Sequence, residues 1–117
     1  MKFEELQLKV LKWAYSHDLL HEENADKQFL KFVEEVFEFK TEMDNVLSYT
    51  DPYVDEADRR MILEMGDIFV TLIILCKQLE IEPQFCLEKA YEKIKDRHGR
   101  TINGTFVKEE DLPGKVE

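Results

Sequence analysis

A single glycine, Gly66, and two prolines, Pro52 and Pro83, interrupt the first 98 residues, whereas Gly99, Gly104, Pro113 and Gly114 crowd into the last nineteen. Glycine and proline are the residues that most often end regular structure. Their distribution restricts the chain to helices up to about residue 98 and moves any tight turning of the backbone to the C-terminus. With 117 residues, 44% of them hydrophobic, the chain supports one core.

Apolar spacing divides the helical part into four segments. From about Phe3 to His17, Phe3, Leu6, Val10, Trp13, Ala14 and His17 recur at helical intervals. A polar stretch follows to about Asp26, where Asn24 or Asp26 can cap a second helix of about Lys27 to Leu47. On that helix Phe29, Phe32, Val33, Val36, Phe37, Met43 and Leu47 form one side, and Leu30, Phe39 and Val46 widen the arc to roughly 200°. That is more than one packing layer covers, so the second layer is expected to come from another subunit. Ser48 to Asp55, with Asp51-Pro52, reads as a loop. A third helix, about Glu56 to Leu79, is apolar nearly all round from Ile68 to Cys76 and is expected at the centre of the core. Pro83 opens a fourth, to about Arg97, at the first-turn position that tolerates proline. Beyond it Arg100-Thr101-Ile102 and Thr105-Phe106-Val107 flank Asn103-Gly104, the signature of a hairpin with a type I′ turn, and this hairpin is expected to lie against the helices. The expected fold is all-α: an antiparallel bundle of four main helices with a short C-terminal β-hairpin. One domain spans 1–117, with a helical core of about 1–98 and a hairpin and tail of about 99–117.

Twenty-six acidic residues against sixteen basic ones give a formal charge of −10. Such a surface argues against nucleic acid and against anionic membranes as partners. It admits a phosphate-bearing ligand if a divalent cation stands between. The Ile68–Cys76 run is far shorter than the roughly 20 residues that span a bilayer. Met1 to Glu5 lacks the apolar stretch of a secretory signal, and two cysteines, Cys76 and Cys86, are too few for a disulfide scaffold. A cytoplasmic protein with two buried, reduced thiols is expected.

Two acid pairs point to chemistry. Glu35 and Glu38 are three apart on the second helix, and Glu64 and Asp67 three apart on the third. At that spacing both carboxylates of a pair share a helical face. The polar stripe of the third helix, Arg60, Glu64, Asp67, Thr71 and Gln78, runs into its most apolar part, so Asp67 is expected to look inward or toward a cleft. Burying carboxylates is costly without a compensating positive charge. Four of them from two packed helices form a hard oxygen set suited to Mg2+, with Mn2+ as the alternative. Either pair alone is also what a solvated acidic face looks like. A di-iron bundle would require Glu-x-x-His pairs, and none of His17, His21 and His98 has a Glu three residues before it.

The segment Lys31-Phe32-Val33-Glu34-Glu35-Val36-Phe37-Glu38 resembles the first motif of the MazG-like, all-α nucleoside triphosphate pyrophosphohydrolases, Glu-Glu-x-x-Glu, and Glu64-Met65-Gly66-Asp67 is similar to the second, Glu-x-x-Asp. Lys93 and Arg97 match the lysine and final arginine of the family's basic last helix, while Tyr91 and Asp96 replace an asparagine and an arginine common there. The resemblance covers about residues 27 to 98. It implies Mg-dependent cleavage of (deoxy)nucleoside triphosphates between the α and β phosphates, yielding monophosphate and pyrophosphate, in nucleotide-pool housecleaning or control.

On that resemblance Glu35, Glu38, Glu64 and Asp67 are the metal ligands. Glu34, Glu35 and Glu38 are the catalytic acids, with Glu34 either a general base, a ligand of a further metal or a plain surface acid. Lys31, Lys93 and Arg97 are the phosphate ligands, although Lys93 and Arg97, four apart, equally suit a helix C-terminus as dipole-complementing cations. Trp13, His17 and Phe39 either contact the base or belong to the core. A homodimer or homotetramer is expected. The competing reading is a non-enzymatic acidic helical oligomerisation or adaptor module, which accounts for the wide apolar arc but not for carboxylates interrupting a buried helix.

Overall fold

The computed structural model describes residues 1–48 and 54–114. Four helices follow in order: α1 (Phe3–Ser16), α2 (Ala25–Ser48), α3 (Val54–Gln78) and α4 (Pro83–Ile94), with a short 3-10 turn (Glu22–Asn24) before α2. Two strands, β1 (Gly99–Ile102) and β2 (Thr105–Lys108), and a second 3-10 turn (Glu109–Asp111) complete the described chain. The fold is all-α with a small C-terminal hairpin, as the breaker distribution predicts. The expected loop between the second and third helices lies largely outside the described residues. The chain forms two compact units, Met1–Pro83 and Gln84–Glu117.

In the first unit α2 packs along α3, and α1 packs on α3. Three cross-helix contacts fix the direction of the α2–α3 pair. Gln28 Nε2 donates to the Thr71 carbonyl at 3.3 Å, Glu35 and Glu64 meet in one cluster, and Arg60 Nε donates to Glu42 Oε2 at 2.9 Å. As the residue number rises on α2 it falls on α3, so the two helices are antiparallel. The core gathers on the second half of α3, where Thr71, Ile73, Ile74, Cys76 and Gln78 are buried, together with Ala14 of α1 and Ala57. Within the Ile68–Cys76 run expected at the centre, Thr71, Ile73, Ile74 and Cys76 are buried, whereas Phe69 is exposed. Phe29, Leu30 and Phe37 on α2 stay exposed, as do Ile62 and Leu63 on α3.

Two helices end without glycine. Asp18, at φ 60°, and Glu80, at φ 56°, take the left-handed conformation. After each, the chain closes a Schellman-type stop: Leu19 N–H donates to the Ala14 carbonyl and Ile81 N–H to the Cys76 carbonyl, both at 3.0 Å. A side chain in this region costs about 1–2 kcal/mol relative to glycine. Sequence spacing alone ran the first and third helices one residue further, to His17 and Leu79.

In the second unit α4 stops at Ile94, short of the expected Arg97. The last turn tightens, with Lys95 N–H bonded to the Tyr91 carbonyl at 2.9 Å but Arg97 N–H to the Ile94 carbonyl at 3.0 Å. Antiparallel pairing runs from Gly99 opposite Lys108 to Ile102 opposite Thr105. Asn103 (φ 50°) and Gly104 (φ 80°) form the turn with the positive dihedrals that a type I′ hairpin demands. Glu109 N–H donates to the His98 carbonyl at 2.8 Å and ties the strand ends together. Cys86 is exposed, not buried as expected, because α4 turns that face to solvent; Cys76 is buried, and both are thiols.

Candidate metal centre and adjoining groove

The antiparallel register of α2 and α3 brings the two acid pairs face to face. One carboxylate oxygen each from Glu35, Glu64 and Asp67 lies within 4.8 Å of the others. Glu38 stands next to them, its carboxyl in hydrogen-bonding relation with Glu35 and Glu64, though outside the closest three. Glu35 is only 6% exposed. Glu64 is half-buried, and Asp67 is exposed on the wall of a groove, the second of its two expected placements.

Glu35 feels two opposed effects. Burial pushes its carboxyl up, but the Lys31 ammonium and hydrogen bonding with Glu64 and Glu38 outweigh burial and hold it below the usual range. Lys31 Nζ lies 3.2 Å from Glu35 Oε1 and 3.4 Å from Glu34 Oε2. Glu64 is pushed up to about 7, first by burial and then by its hydrogen bond to Glu35 and the charges of Glu38 and Glu35. Glu38 is raised as well, chiefly through its hydrogen bond to Glu35. Three carboxyls pressed together cannot all ionise at little cost, and the proton is held best on Glu64.

Among the described residues, no donor of the protein reaches the buried oxygens Glu35 Oε2 and Glu64 Oε2. Leaving such acceptors unpaired costs about 1–3 kcal/mol each. Two orphaned carboxylate oxygens within an all-oxygen cluster fit a hard divalent cation, and Glu35, Glu64 and Asp67 can hold one.

Asp67 also lines a groove with Leu6, Lys9, Val10, Trp13 and Val70, about 390 Å3 in volume. Trp13 is 51% exposed. His17 lies against it with ring centroids 4.5 Å apart, and His17 Nδ1 is 2.9 Å from the Trp13 carbonyl. Trp13 and His17 therefore form an exposed aromatic pair, with Trp13 beside the acid cluster and not in the core. Phe39 is half-buried on α2. Lys9, a cation in the same groove, was not singled out in the sequence; its only signal is its place one turn before Trp13 on α1.

The other residues are more scattered. Glu34 is exposed and committed to Lys31. Lys93 sits exposed in the last turn of α4, and Arg97, half-buried, lies beyond the end of that helix. The expected pairing of these two cations on one helical face is corrected by the early stop at Ile94.

Comparison with curated proteins and with solved structures finds no match. A family model, the MazG nucleotide pyrophosphohydrolase domain, matches residues 23–102. That span contains all four acids of the cluster and most of the chain, and so the protein belongs to the MazG nucleotide pyrophosphohydrolase domain family.

Proposed function

We propose that the protein is a Mg-dependent hydrolase of (deoxy)nucleoside triphosphates that releases monophosphate and pyrophosphate. The observation that carries this reading is the cluster of Glu35, Glu64 and Asp67, with two buried oxygens that no donor among the described residues satisfies. Family membership supplies the reaction class. Glu35, Glu38, Glu64 and Asp67 are the proposed ligands, for Mg2+ or, alternatively, Mn2+. Such a cation neutralises phosphate charge and makes a bound water more acidic.

The chain's own side chains divide the remaining work. Glu38, exposed at the edge of the cluster and outside its closest three acids, is the proposed general base for the attacking water if it does not itself bind the cation. Glu34 is the second choice, since its carboxylate is held by Lys31. Lys31 holds Glu35 ionised and is a proposed cation for a phosphate oxygen. Lys93 and Arg97 are proposed phosphate ligands on the family resemblance. Trp13 and His17, at the groove that Asp67 also lines, offer a stacking face for a base. In this reading residues 1–117 act as one domain in the cytoplasm. The exposed Phe29, Leu30 and Phe37 of α2 are covered by a second copy, in a homodimer or homotetramer.

The test is a panel of nucleoside triphosphates with magnesium, scored separately for pyrophosphate and orthophosphate. Pyrophosphate release that requires magnesium and is lost in Asp67→Ala supports the reading. Orthophosphate as sole product, or no turnover of any triphosphate, refutes it. The adaptor alternative has the exposed apolar surface in its favour and leaves the clustered carboxylates without a purpose.

A further inference from the structure

The groove between α1 and α3 carries two opposite charges that do not close on each other. Its apolar wall is Leu6, Val10 and Trp13 of α1 with Val70 of α3, and Lys9 and Asp67 are its charged members. Phe3 meets Phe69 edge-on, ring centroids 5.8 Å apart, and so ties the start of α1 to α3 one residue before Val70. Lys9 and Trp13 are four apart on α1 and share a helical face. Both are exposed. Among the described residues Lys9 enters no ion pair. A carboxylate oxygen of Asp67 lies instead within 4.8 Å of Glu35 and Glu64. The groove therefore borders the candidate metal centre through Asp67 and keeps an uncommitted ammonium on its α1 side. Its volume, about 390 Å3, is within the range of small-molecule sites.

The hydrogen-bonding character of the α1 side is one-sided. Lys9 has three N–H donors and no acceptor, and the Trp13 indole adds one further donor. A flat ring laid on Trp13 with an edge toward Lys9 is bonded where that edge carries acceptors. Where it carries an N–H donor, that donor goes unpaired, at a cost. Guanine has two neighbouring acceptors, O6 and N7, and cytosine has O2 and N3. Adenine and uracil have no two acceptors side by side. The apolar side chains around Lys9 suit a base ring and offer nothing to phosphate oxygens.

We propose that Lys9 reads the base of the bound nucleotide, donating to two neighbouring acceptors on its edge, so that guanine and cytosine nucleotides are preferred over adenine and uracil ones. The inference rests on the hydrolase reading in one respect: a cation at Asp67 holds the phosphates and brings the base to the groove.

Trp13 is the one tryptophan of the chain, so tryptophan fluorescence reports on this groove. The experiment titrates the intact protein, in magnesium, with GMP, CMP, AMP and UMP. GMP and CMP should quench Trp13 saturably and bind about five-fold more tightly than AMP and UMP, the low end of what a two-acceptor contact provides, because Lys9 is exposed. Lys9→Met removes the charge and keeps the methylenes; it should bring GMP and CMP to the level of AMP. Lys9→Arg should retain the preference. An equal loss for all four nucleotides in Lys9→Met would make Lys9 a phosphate ligand and overturn the proposal. A ranking unchanged in Lys9→Met, or no saturable quenching by any of the four, would overturn it as well. Hydrolysis is scored apart, by pyrophosphate release from the triphosphates. A ranking that depends on Lys9 without such release refutes the reaction and upholds the base reading, and release with a ranking indifferent to Lys9 does the reverse.

Discussion

Replacing Glu64 by glutamine should stabilise the metal-free protein at alkaline pH and remove its response to magnesium. Glu64 titrates at about 7 in the folded chain against 4.5 ordinarily. Between those values the folded state holds a proton that the unfolded state has released. Stability therefore falls as pH rises through that window, and the penalty is complete above about 7. At about 1.36 kcal/mol per pKa unit the ceiling is about 3 kcal/mol. Glu64 is half-buried and shares its proton with its neighbours, so solvent screening and redistribution reduce this to about 1–2 kcal/mol. Glutamine carries no charge, and its amide can donate to Glu35 where the shared proton did. For a chain of this size the gain corresponds to a melting point about 4–8 °C higher.

The assay is thermal unfolding followed by circular dichroism, in chelator and in excess magnesium, at pH 4.5 and pH 8. In chelator the variant should match the parent at pH 4.5 and exceed it at pH 8. The difference between variant and parent isolates Glu64 from Glu35, whose lowered pKa acts in the opposite direction. Magnesium should raise the melting point of the parent at pH 8 and that of the variant much less, because a ligand oxygen is gone. A variant less stable than the parent in chelator at pH 8, or a difference independent of pH, would refute the account of clustered, mutually repelling carboxylates.

Four further outcomes follow from the same structure. Glu38→Ala and Asp67→Ala should each reduce triphosphate cleavage by at least about a hundred-fold while leaving the melting point in chelator equal or higher; a collapsed fold with unchanged activity per folded molecule would make these acids structural. Light scattering should give at least twice the chain mass at micromolar concentration, since Phe29, Leu30 and Phe37 are exposed; a monomer counts against the apolar second layer. Cys86 should react with a thiol reagent at once and Cys76 only on unfolding, as their exposures dictate; equal rates would show that Cys76 is accessible in the native state. Gly99→Ala should break the β1–β2 pairing, because a Cβ there would stand 2.2 Å from the Val107 carbonyl oxygen; intact cross-strand contacts by NMR would contradict this.

Much of the fold was legible in the residues themselves. Four apolar-periodic segments separated by polar stretches and by Pro83 are local statements, and local statements survive without knowledge of neighbours. The hairpin was equally local, because Asn103-Gly104 supplies the two positive dihedrals its turn needs. The acid pairs could be read as pairs for the same reason: a spacing of three fixes two side chains on one helical face. What could not be read was where each helix stops. Asp18 and Glu80 take a conformation that sequence assigns to glycine, and the backbone bonds from Leu19 to Ala14 and from Ile81 to Cys76 close the helix ends around them. Arg97 lost its place on α4 through a tightened turn that no residue type announces.

The sequence by itself determined an all-α chain, a helix too apolar to sit on a surface, and two pairs of carboxylates awaiting a counter-charge. Only the tertiary structure decided that the pairs meet. That outcome depends on the antiparallel register of α2 and α3, which the Gln28–Thr71 and Arg60–Glu42 contacts pin at either side of the cluster. A spacing of three places two acids on one face of their own helix but leaves the face of the neighbouring helix undetermined. Tertiary packing likewise decided which acid keeps its proton. Glu35 and Glu64 are the same residue type: Lys31 reaches Glu35 from one turn away on its own helix, a local pairing, whereas the burial and the acidic neighbours Glu35 and Glu38 that act on Glu64 come only with packing.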